Sequence, residues 1–471
     1  MSTLPSSGVD LAALERIEQR ILWLAVRIVD YANRERPKGD ELKVGGHQAS
    51  SASMVTLMTA LYLADLDARD RVSVKPHASP VLHAIEYLLG RLDRSYLTRL
   101  RDFKGLQSYP SRTKDPFPVD YSTGSVGLGS AAPLLGALAD RYVETHFGTS
   151  TGGRFVSLLG DAELDEGNIW EALTEPLGRR LGNVLWIVDL NRQSLDRVIP
   201  GIKAMELEHQ FRTVGWDVIE LKYGRRLREA YARVGGDMLR RRIDEMPNEQ
   251  YQALFGASED VVRATLLETL ADAERARLGH LLDGYRGEVA ELVRDLGGHD
   301  LGDVLDALAR ARETTDRPTV IFAYTIKGYG LEIAGRPQNH SALLSGEQVD
   351  RFRTQVGLTP DDEWSAFDPE TAEGRLLRAA AARLDRGEQP TPRTYHVPER
   401  LSDKDPGKVS TQAAFGRVLL DLSRVEGVGQ RLVTVAPDVS VSTNLGGFIN
   451  KTGVWGLDEE PIYDAMEDSP L

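Results

Sequence analysis

The sequence predicts an α/β fold built on a doubly wound parallel sheet, with a helical insertion and the start of a second α/β domain. Two observations predict the sheet: short, mostly apolar runs recur along the chain, and helical patterns separate them. The runs are Arg154–Leu159, Asn183–Leu190, Trp216–Leu221 and Thr319–Thr325. Helical crossovers cover both faces of a parallel sheet, so its buried strands are mostly apolar, as these runs are.

Helical patterns account for most of the remaining chain. Apolar residues recur at helical spacing over Leu11–Ala32, Ser51–Leu63, Gly127–Asp140 and Asn168–Arg180. Residues 224–314 are almost wholly helical in pattern and rich in charge. We therefore expect that segment to be an insertion or crossover outside the sheet.

A proline-rich segment predicts the domain boundary. Residues 387–408 are interrupted by Pro390, Pro392, Pro398 and Pro406, which is typical of a linker. The first domain is therefore expected over residues 1–400, with the linker starting near residue 387.

The pattern after the linker predicts a new α/β unit. Thr411–Ser423 predicts a helix and Arg431–Val435 predicts a strand. Residues 409–471 are interpreted as the truncated start of a second domain, because they are fewer than an independent domain usually has.

Composition limits the classes of partner. Across 471 residues, 57 Lys and Arg stand against 71 Asp and Glu, a formal net charge of -14. This charge argues against a nucleic-acid partner and against an anionic membrane surface. The sequence contains no cysteine, which excludes disulfides, thiolate catalysis and cysteine-ligated zinc.

The N-terminal residues show no targeting pattern. Residues 1–10 lack a basic flank followed by an apolar stretch, so no signal peptide is predicted. The longest apolar run nearby, Ile21–Val29, contains Arg27 and is too short to span a bilayer. A cytoplasmic protein is therefore expected.

One motif places polar residues at two neighbouring strand ends. Gly160-Asp161-Ala162-Glu163 directly follows the first predicted strand, and Asn191 ends the second, 30 residues after Asp161. One βαβ crossover of about 30 residues brings both side chains to the carboxyl edge of the sheet, where ligands of open α/β sheets bind. Gly160 is expected to let the chain turn tightly there.

The residue types at this edge suit a magnesium ion. Asp161 offers a carboxylate, Asn191 an amide oxygen, and Gln193 a backbone carbonyl two residues later. Mg²⁺ binds about six oxygens in octahedral geometry and commonly shares phosphate oxygens. A diphosphate and a water would complete the shell.

Two other interpretations of the motif start from the same residues. A solvated loop with a plain helix N-cap at Asp161 or Asp165 remains open. A calcium loop is excluded, because its sixth position would be Glu166 rather than Gly, and its twelfth would be Ala172 rather than Glu.

Gly160-Asp161 followed by Asn191 resembles the thiamine-diphosphate motif of the transketolase superfamily. The surrounding segments resemble the homodimeric-type decarboxylase component of the pyruvate dehydrogenase complex, in order and spacing, over roughly residues 20–450. The matching stretches are Gly45–Ser50, Pro76–Pro80, Leu106–Pro110, Asn191–Asp196, Gly297–Asp300 and Thr325–Gly330.

The resemblance implies the thiamine-diphosphate-binding fold, with thiamine diphosphate and Mg²⁺ as cofactors. The implied active-site residues are His47, His77, Tyr109 and His340. The implied cofactor-binding residues are Ser125, Val126, Gly127, Gly160, Asp161, Ala162, Glu163, Asn191, Gln193 and Lys327, with Asp161, Asn191 and Gln193 on the metal. Glu166 falls on an acidic residue that lies at the dimer interface in relatives.

Plainer roles for several of these residues are also compatible with the sequence. The three histidines lie in predicted loops, where exposed histidines are common, and Tyr109 before Pro110 is compatible with simple packing. Lys327 is compatible with a solvated lysine at a strand end. His299, outside the implied set, is interpreted as the cap of a helix starting near Asp300.

The implied function is decarboxylation of a 2-oxo acid, and two-carbon ketol transfer from a ketose phosphate is the alternative. The family has further domains that contain the glutamate activating the cofactor, so the isolated chain is expected to be inactive. A homodimer or a complementary pyrimidine-domain subunit would complete it; a non-catalytic cofactor-binding subunit or a fragment is a further alternative. Lys75 replaces a glutamine of the decarboxylases, which leaves the substrate open.

Overall fold

Five parallel strands form the central sheet. The computed structural model describes residues 8–39, 42–194, 197–198, 203–388, 391, 393–401, 407–436 and 439–457. In chain order the strands are β1 (Arg71–Ser73), β2 (Phe155–Gly160), β3 (Val184–Leu190), the antiparallel pair β4 (Gln193–Ser194) and β5 (Arg197–Val198), β6 (Asp217–Leu221) and β7 (Thr319–Tyr324). The sheet has the order β1-β2-β3-β7-β6 and all its pairs are parallel. The predicted parallel sheet is confirmed.

Every residue of β2, β3 and β7 is buried, which explains why these strands could be recognised as apolar runs. The sequence did not predict β1, because Val72 alone is apolar in that three-residue strand.

Helices cover both faces of the sheet. Those of the first compact unit, Met1–Asp385, are α1 (Leu11–Arg34), α2 (Gln48–Ala60), α3 (Ser79–Leu88), α4 (Leu128–Phe147), α5 (Gly167–Thr174), α6 (Lys203–Thr213), α7 (Arg225–Tyr231), α8 (Gly236–Glu245), α9 (Asn248–Leu254), α10 (Glu259–Leu267), α11 (Asp272–Asp283), α12 (Val289–Arg294), α13 (Leu301–Glu313), α14 (Gly346–Gln355) and α15 (Ala372–Arg383). Helices make up most of residues 224–314, as predicted, and this segment separates β6 from β7.

Two apolar cores lie on opposite faces of the sheet. One packs α1, α2, α3 and α13 against the sheet around Trp23. The other packs α4, α6 and the helical insertion around Trp186 of β3. Alternate residues of β3 belong to different cores: Ile187 to the first and Val188 to the second. Because successive side chains of a strand point to opposite faces, this division confirms the doubly wound arrangement.

His299 does not cap a helix, contrary to the prediction. The cap of α13 is Asp300, whose carboxylate accepts a hydrogen bond from the Asp303 amide at 3.1 Å. His299 Nε2 instead accepts from the Ile326 amide at 2.8 Å, and its ring stacks on Tyr329 with centroids 3.6 Å apart. His299 therefore joins the start of α13 to the loop after β7.

The second compact unit is Arg386–Leu471. Its described helices are α16 (Thr411–Leu422) and α17 (Gly446–Thr452), and they pack through Leu419, Leu445 and Phe448. The predicted helix is thus confirmed. The predicted strand Arg431–Val435 is wrong, since these residues form no ladder in the described part of the chain and Val435 is 92% exposed. A strand requires a neighbour to satisfy its backbone groups.

The described part of the linker, residues 387–408, contains no helix or strand. Pro390, Pro392 and Pro406 of the linker, and Leu195 and Asp196 of the motif at Asn191, lie outside the described residues. Over the ranges that the structure describes, we find no helix with both the length and the apolar character that crossing a bilayer requires.

Candidate functional site

The carboxyl ends of three neighbouring strands define the candidate site. Gly160 of β2 pairs with Asp189 of β3, and Asp189 pairs with Ala323 of β7. The residues that follow the three strands are Asp161, Asn191 and Thr325. They meet at the edge where ligands of doubly wound sheets bind.

Asp161 is buried at this edge and bonded to the loop that begins at Asn191. Its Oδ2 accepts a hydrogen bond from the Arg192 amide at 2.6 Å, and its Oδ1 accepts one from the Ala162 amide at 2.9 Å. Burial first, and then the charge of Asp189, raise the pKa of Asp161 to about 7. A cation bound here would offset the cost of burying this carboxylate.

Asn191 and Gln193 are held by side-chain hydrogen bonds. Asn191 Oδ1 accepts from the Gln193 amide at 3.1 Å, and its Nδ2 donates to Asp189 Oδ2 at 3.1 Å. Gln193 Nε2 donates to Gln252 Oε1 at 2.8 Å, and Gln252 Nε2 donates to the Asn191 carbonyl at 3.0 Å. Gln193 Oε1 is buried and has no hydrogen-bond partner among the described residues. With Asp161, these residues offer the oxygen donors that Mg²⁺ prefers, so they fit the metal implied by the sequence.

The helix-cap interpretation of Asp161 and Asp165 is not supported. Asp161–Asp165 is a short 3₁₀ helix, and α5 begins later, at Gly167. The residue at the N-cap position of α5 is Glu166, and no side chain caps that helix. The carboxylate of Asp161 therefore does not cap α5 but bonds to the Arg192 and Ala162 amides at the edge of the sheet.

Gly160 does not act as a tight turn, contrary to the prediction. Its φ is −90°, which any residue adopts. A Cβ built at Gly160 would lie 3.1 Å from both Cε and Nζ of Lys75. Glycine at this position therefore leaves space for the buried lysine.

Lys75 belongs to a hydrogen-bonded network beneath the proposed metal donors. Its Nζ contacts Asp189 Oδ2 at 2.6 Å, and the Ser53 hydroxyl donates to the same oxygen at 2.7 Å. The Thr325 hydroxyl donates to Asp189 Oδ1. Because Asn191 also donates to Asp189, the network links α2 and the ends of β1, β3 and β7.

Glu163 connects the motif to the glycine-containing loop before α4. Its carboxylate accepts from the Gly160 amide at 3.0 Å and from the Gly127 amide at 3.5 Å. Gly127 has φ +85°, and a Cβ there would lie 2.4 Å from Asn168 Oδ1, so any other residue would strain the backbone and displace the Asn168 side chain. On the same loop, Ser125 and Val126 are exposed.

His47, His77 and His340 converge from three segments. The ring centroids of His47 and His77 are 4.0 Å apart, and each lies 5.1 Å from that of His340. The Tyr109 ring centroid is 5.8 Å from that of His77. The structure thus brings together the four residues that the resemblance implied for the active site.

The environment keeps two of these imidazoles neutral. Burial first, and then the positive charge on neighbouring side chains, lower the pKa of His47 to about 4. The same causes lower the pKa of His77 to about 2. Lys327, which is buried, places its Nζ 3.4 Å from His340 Nδ1. At neutral pH the rings of His47 and His77 are therefore uncharged hydrogen-bond acceptors with cationic side chains nearby.

Several residues of the site were missed by the sequence reasoning. Asp189, Ser53 and Gln252 were not identified, and Lys75 was noted only as a departure from relatives. A signal existed for Asp189, since it is the one charged residue in the buried strand Val184–Leu190. A carboxylate in such a strand must be paired.

A cavity of about 380 Å³ opens beside Asp161 on the side of the helical insertion. Its walls include the aromatic rings of Trp170, Tyr251 and Tyr324, and also Arg192. None of its described lining residues is a histidine. The cavity therefore adjoins the proposed metal donors and is separate from the imidazole cluster.

Comparison with protein families identifies one match. The chain matches the family described as transketolase, thiamine diphosphate binding domain, over residues 41–234 and 277–374. The unmatched stretch between these ranges lies in the helical insertion.

The chain is also similar to curated proteins along nearly all its length. It is 29% identical to the pyruvate dehydrogenase E1 component of Cupriavidus necator, over 96% of this chain and 53% of that protein. The corresponding protein of Pseudomonas aeruginosa is 28% identical, over 95% and 53%, and that of Escherichia coli strain K12 is 27% identical, over 96% and 53%. The chain spans about half the length of these relatives.

Among solved structures, the transketolases of Leishmania mexicana and Campylobacter jejuni share the fold. Each superposes with a TM-score of 0.54 at 18% identity and covers 79% of this chain. The chain covers 45% and 47% of those proteins, respectively. At this identity the likeness establishes the fold alone.

Proposed function

The chain belongs to the transketolase thiamine-diphosphate-binding family, and we propose that it forms the diphosphate-binding part of an enzyme that decarboxylates a 2-oxo acid with thiamine diphosphate and Mg²⁺. The observation that carries this proposal is the convergence of Asp161, Asn191 and Gln193 at one sheet edge, above the buried Asp189 network. Thiamine diphosphate would supply the reactive carbon and the electron sink that decarboxylation needs.

The proposed metal ligands are Asp161, Asn191 and Gln193. Hydrogen bonds from Ala162 and Arg192 fix both oxygens of Asp161 and leave further lone pairs for a cation. The loop at Gly127, joined to the motif through Glu163, lies at the same edge. We propose that Ser125, Val126, Gly127, Gly160, Ala162 and Glu163 form the rest of the cofactor site, with Lys327 at its entrance.

The imidazoles of His47, His77 and His340 are proposed to orient the substrate and to move protons. His47 and His77 are neutral at physiological pH, so each ring keeps a nitrogen lone pair that can accept a hydrogen bond from the substrate. The Lys327 ammonium next to His340 Nδ1 is positioned to donate a proton or to attract a carboxylate. General acid–base assistance of this kind contributes about 10²–10⁴-fold in rate.

A 2-oxo acid is favoured over a ketose phosphate as substrate. The pyruvate dehydrogenase E1 components align over nearly the whole chain, whereas the transketolase structures share only the fold. Ketol transfer between sugars is the second candidate, because the matching family is described as transketolase, thiamine diphosphate binding domain.

An exposed apolar face on α4 is an argument that the first compact unit binds a protein partner. Leu128, Leu135, Val143 and Phe147 are exposed along α4, and Val126 is exposed just before it. Clusters of exposed apolar side chains commonly mark protein interfaces. We propose that a second copy or a complementary pyrimidine-domain subunit covers this face and supplies the remaining catalytic groups.

Calorimetric titration of thiamine diphosphate, with and without Mg²⁺, tests the cofactor site. We expect Mg²⁺-dependent binding to the wild-type chain, its loss in Asp161→Asn, and its retention in the exposed control Asp165→Asn. Unchanged binding by Asp161→Asn would contradict the proposal.

Turnover of pyruvate and of xylulose 5-phosphate, with a pyrimidine-domain partner present, then separates the two candidate reactions. A binding-competent chain without turnover in that mixture would indicate a non-catalytic subunit.

A further inference from the structure

The cluster formed by His47, His77 and His340 has the composition of a metal site distinct from the Mg²⁺ site. We propose that it binds one divalent transition-metal ion of the Zn²⁺ class through three imidazole nitrogens. Among the described residues, these are the one group of three or more His, Cys, Asp and Glu side chains that converges closely enough to share an ion.

The three imidazole rings need to move only slightly to bind one ion. One ligand nitrogen from each ring lies within 4.8 Å of the other two. Zinc binds imidazole nitrogen at about 2.0–2.1 Å, and tetrahedral angles then place the nitrogens about 3.4 Å apart. His47 directly precedes α2, whereas His77 and His340 lie in short 3₁₀ helices before α3 and after β7. Rotation about the side-chain torsions can therefore bring them together without moving the sheet.

The donor set determines which metal is selected. Three neutral imidazoles suit Zn²⁺, Ni²⁺ or Cu²⁺, whereas Mg²⁺ requires oxygen ligands. Three histidines with an open fourth position are a ligand set that zinc sites use. The oxygen donors at Asp161 and Asn191 have the opposite preference. The two sites are thus expected to discriminate between hard and borderline cations.

Nearby positive charge limits the affinity of the histidine site. The Lys327 ammonium lies 3.4 Å from His340 Nδ1 and competes for that lone pair. Lys75 and Arg101 also place positive charge near His47. Removing the Lys327 charge should therefore strengthen metal binding, an effect that a misfolded variant cannot imitate.

Occupation of this site has a functional consequence that rests on the proposed function. If the imidazoles handle substrate and protons, a transition metal bound to them blocks turnover while leaving Mg²⁺-dependent cofactor binding intact. Metal binding itself does not depend on that function, so the two proposals can fail separately.

The test uses the full, untagged, metal-free chain without thiamine diphosphate. Zn²⁺ is titrated calorimetrically, and Co²⁺ is followed by the visible absorption of a tetrahedral complex, both in excess Mg²⁺. We expect one ion per chain. His77→Gln and His340→Gln should each weaken binding by at least about tenfold, since even residues that only orient metal ligands change affinity by about 10–100-fold. Lys327→Met should tighten it.

Two controls separate this site from others. Asp161→Asn and His146→Gln, the latter on the exposed surface of α4, should leave Zn²⁺ binding unchanged. The proposal is overturned if the histidine variants bind Zn²⁺ as the wild type does, if Lys327→Met fails to tighten binding, or if Mg²⁺ displaces the ion.

Discussion

The ammonium nitrogen of Lys75 lies 2.6 Å from Oδ2 of Asp189, and both side chains are buried. Burial disfavours both charges, but their mutual attraction outweighs this cost. The pKa of Asp189 is therefore lowered and that of Lys75 raised from their ordinary values. Because Asn191 Nδ2 donates to Asp189 Oδ2, the pair also helps to fix the orientation of the Asn191 side-chain amide.

Neutralising Lys75 alone should lower the free energy of unfolding strongly, whereas neutralising both Lys75 and Asp189 should lower it much less. Lys75→Gln leaves the Asp189 carboxylate buried and unpaired, a change that typically lowers the free energy of unfolding by about 3–5 kcal/mol. Adding Asp189→Asn removes the unpaired charge and should recover most of this loss. Urea denaturation of both single variants and the double variant forms a complete cycle. A double variant as unstable as the sum of the single variants would show that the pair is not coupled.

Gly127→Ala should damage both the fold and cofactor binding. The residue has φ +85°, and the new methyl group would lie 2.4 Å from Asn168 Oδ1. Gly148→Ala is the matched control, because Gly148 has φ +65° with no atom within 4 Å of a built Cβ. The control should lose about 1–2 kcal/mol of unfolding free energy from backbone strain alone. Gly127→Ala should lose more and should bind thiamine diphosphate more weakly. Equal losses in urea denaturation would contradict the predicted clash.

The central strands of the sheet could be predicted from the sequence, whereas the short strand at its edge could not. β2, β3 and β7 are buried on both faces, so their sequences are mostly apolar. β1 contributes three residues at the edge of the sheet, too few for any pattern. In the second unit, Arg431–Val435 has strand-like composition but no ladder partner among the described residues.

For the candidate site, the spacing of residues along the chain could predict which side chains lie close together only within one strand–helix–strand unit. The distance from Asp161 to Asn191 corresponds to one strand–helix–strand unit, so their proximity could be deduced. Gln252 contacts Asn191 from α9, 61 residues later. How the helical insertion docks on the sheet depends on tertiary packing, which residue spacing does not encode. The roles of the site residues stay predictions.

Gln252→Ala should weaken Mg²⁺-dependent cofactor binding, although Gln252 is not itself a proposed metal ligand. Gln252 accepts from Gln193 Nε2 at 2.8 Å and donates to the Asn191 carbonyl at 3.0 Å. Its loss leaves both groups unsatisfied and loosens the loop. Residues that orient metal ligands commonly change metal affinity by about 10–100-fold, and calorimetry with Mg²⁺ and thiamine diphosphate measures this.

Gln250→Ala is the control for this experiment, since it removes the same residue type from the same helix, α9. It should bind Mg²⁺ and thiamine diphosphate as the wild type does. If Gln252→Ala also binds normally, the contact between the helical insertion and the Asn191 loop has no part in holding the metal.

His83 should make the protein less stable in mild acid. Its side chain is fully buried, and burial lowers its pKa from 6.5 to about 4 despite the hydrogen bond with the Gln107 carbonyl. Between these values the unfolded chain binds a proton that the folded chain does not, so stability falls as pH falls, by up to about 3 kcal/mol. His83→Gln cannot titrate and should flatten this slope in urea denaturation from pH 7 to pH 4. Phe117→Leu, beside His83, should lower stability equally at each pH. An unchanged slope in His83→Gln would assign the acid sensitivity to other groups.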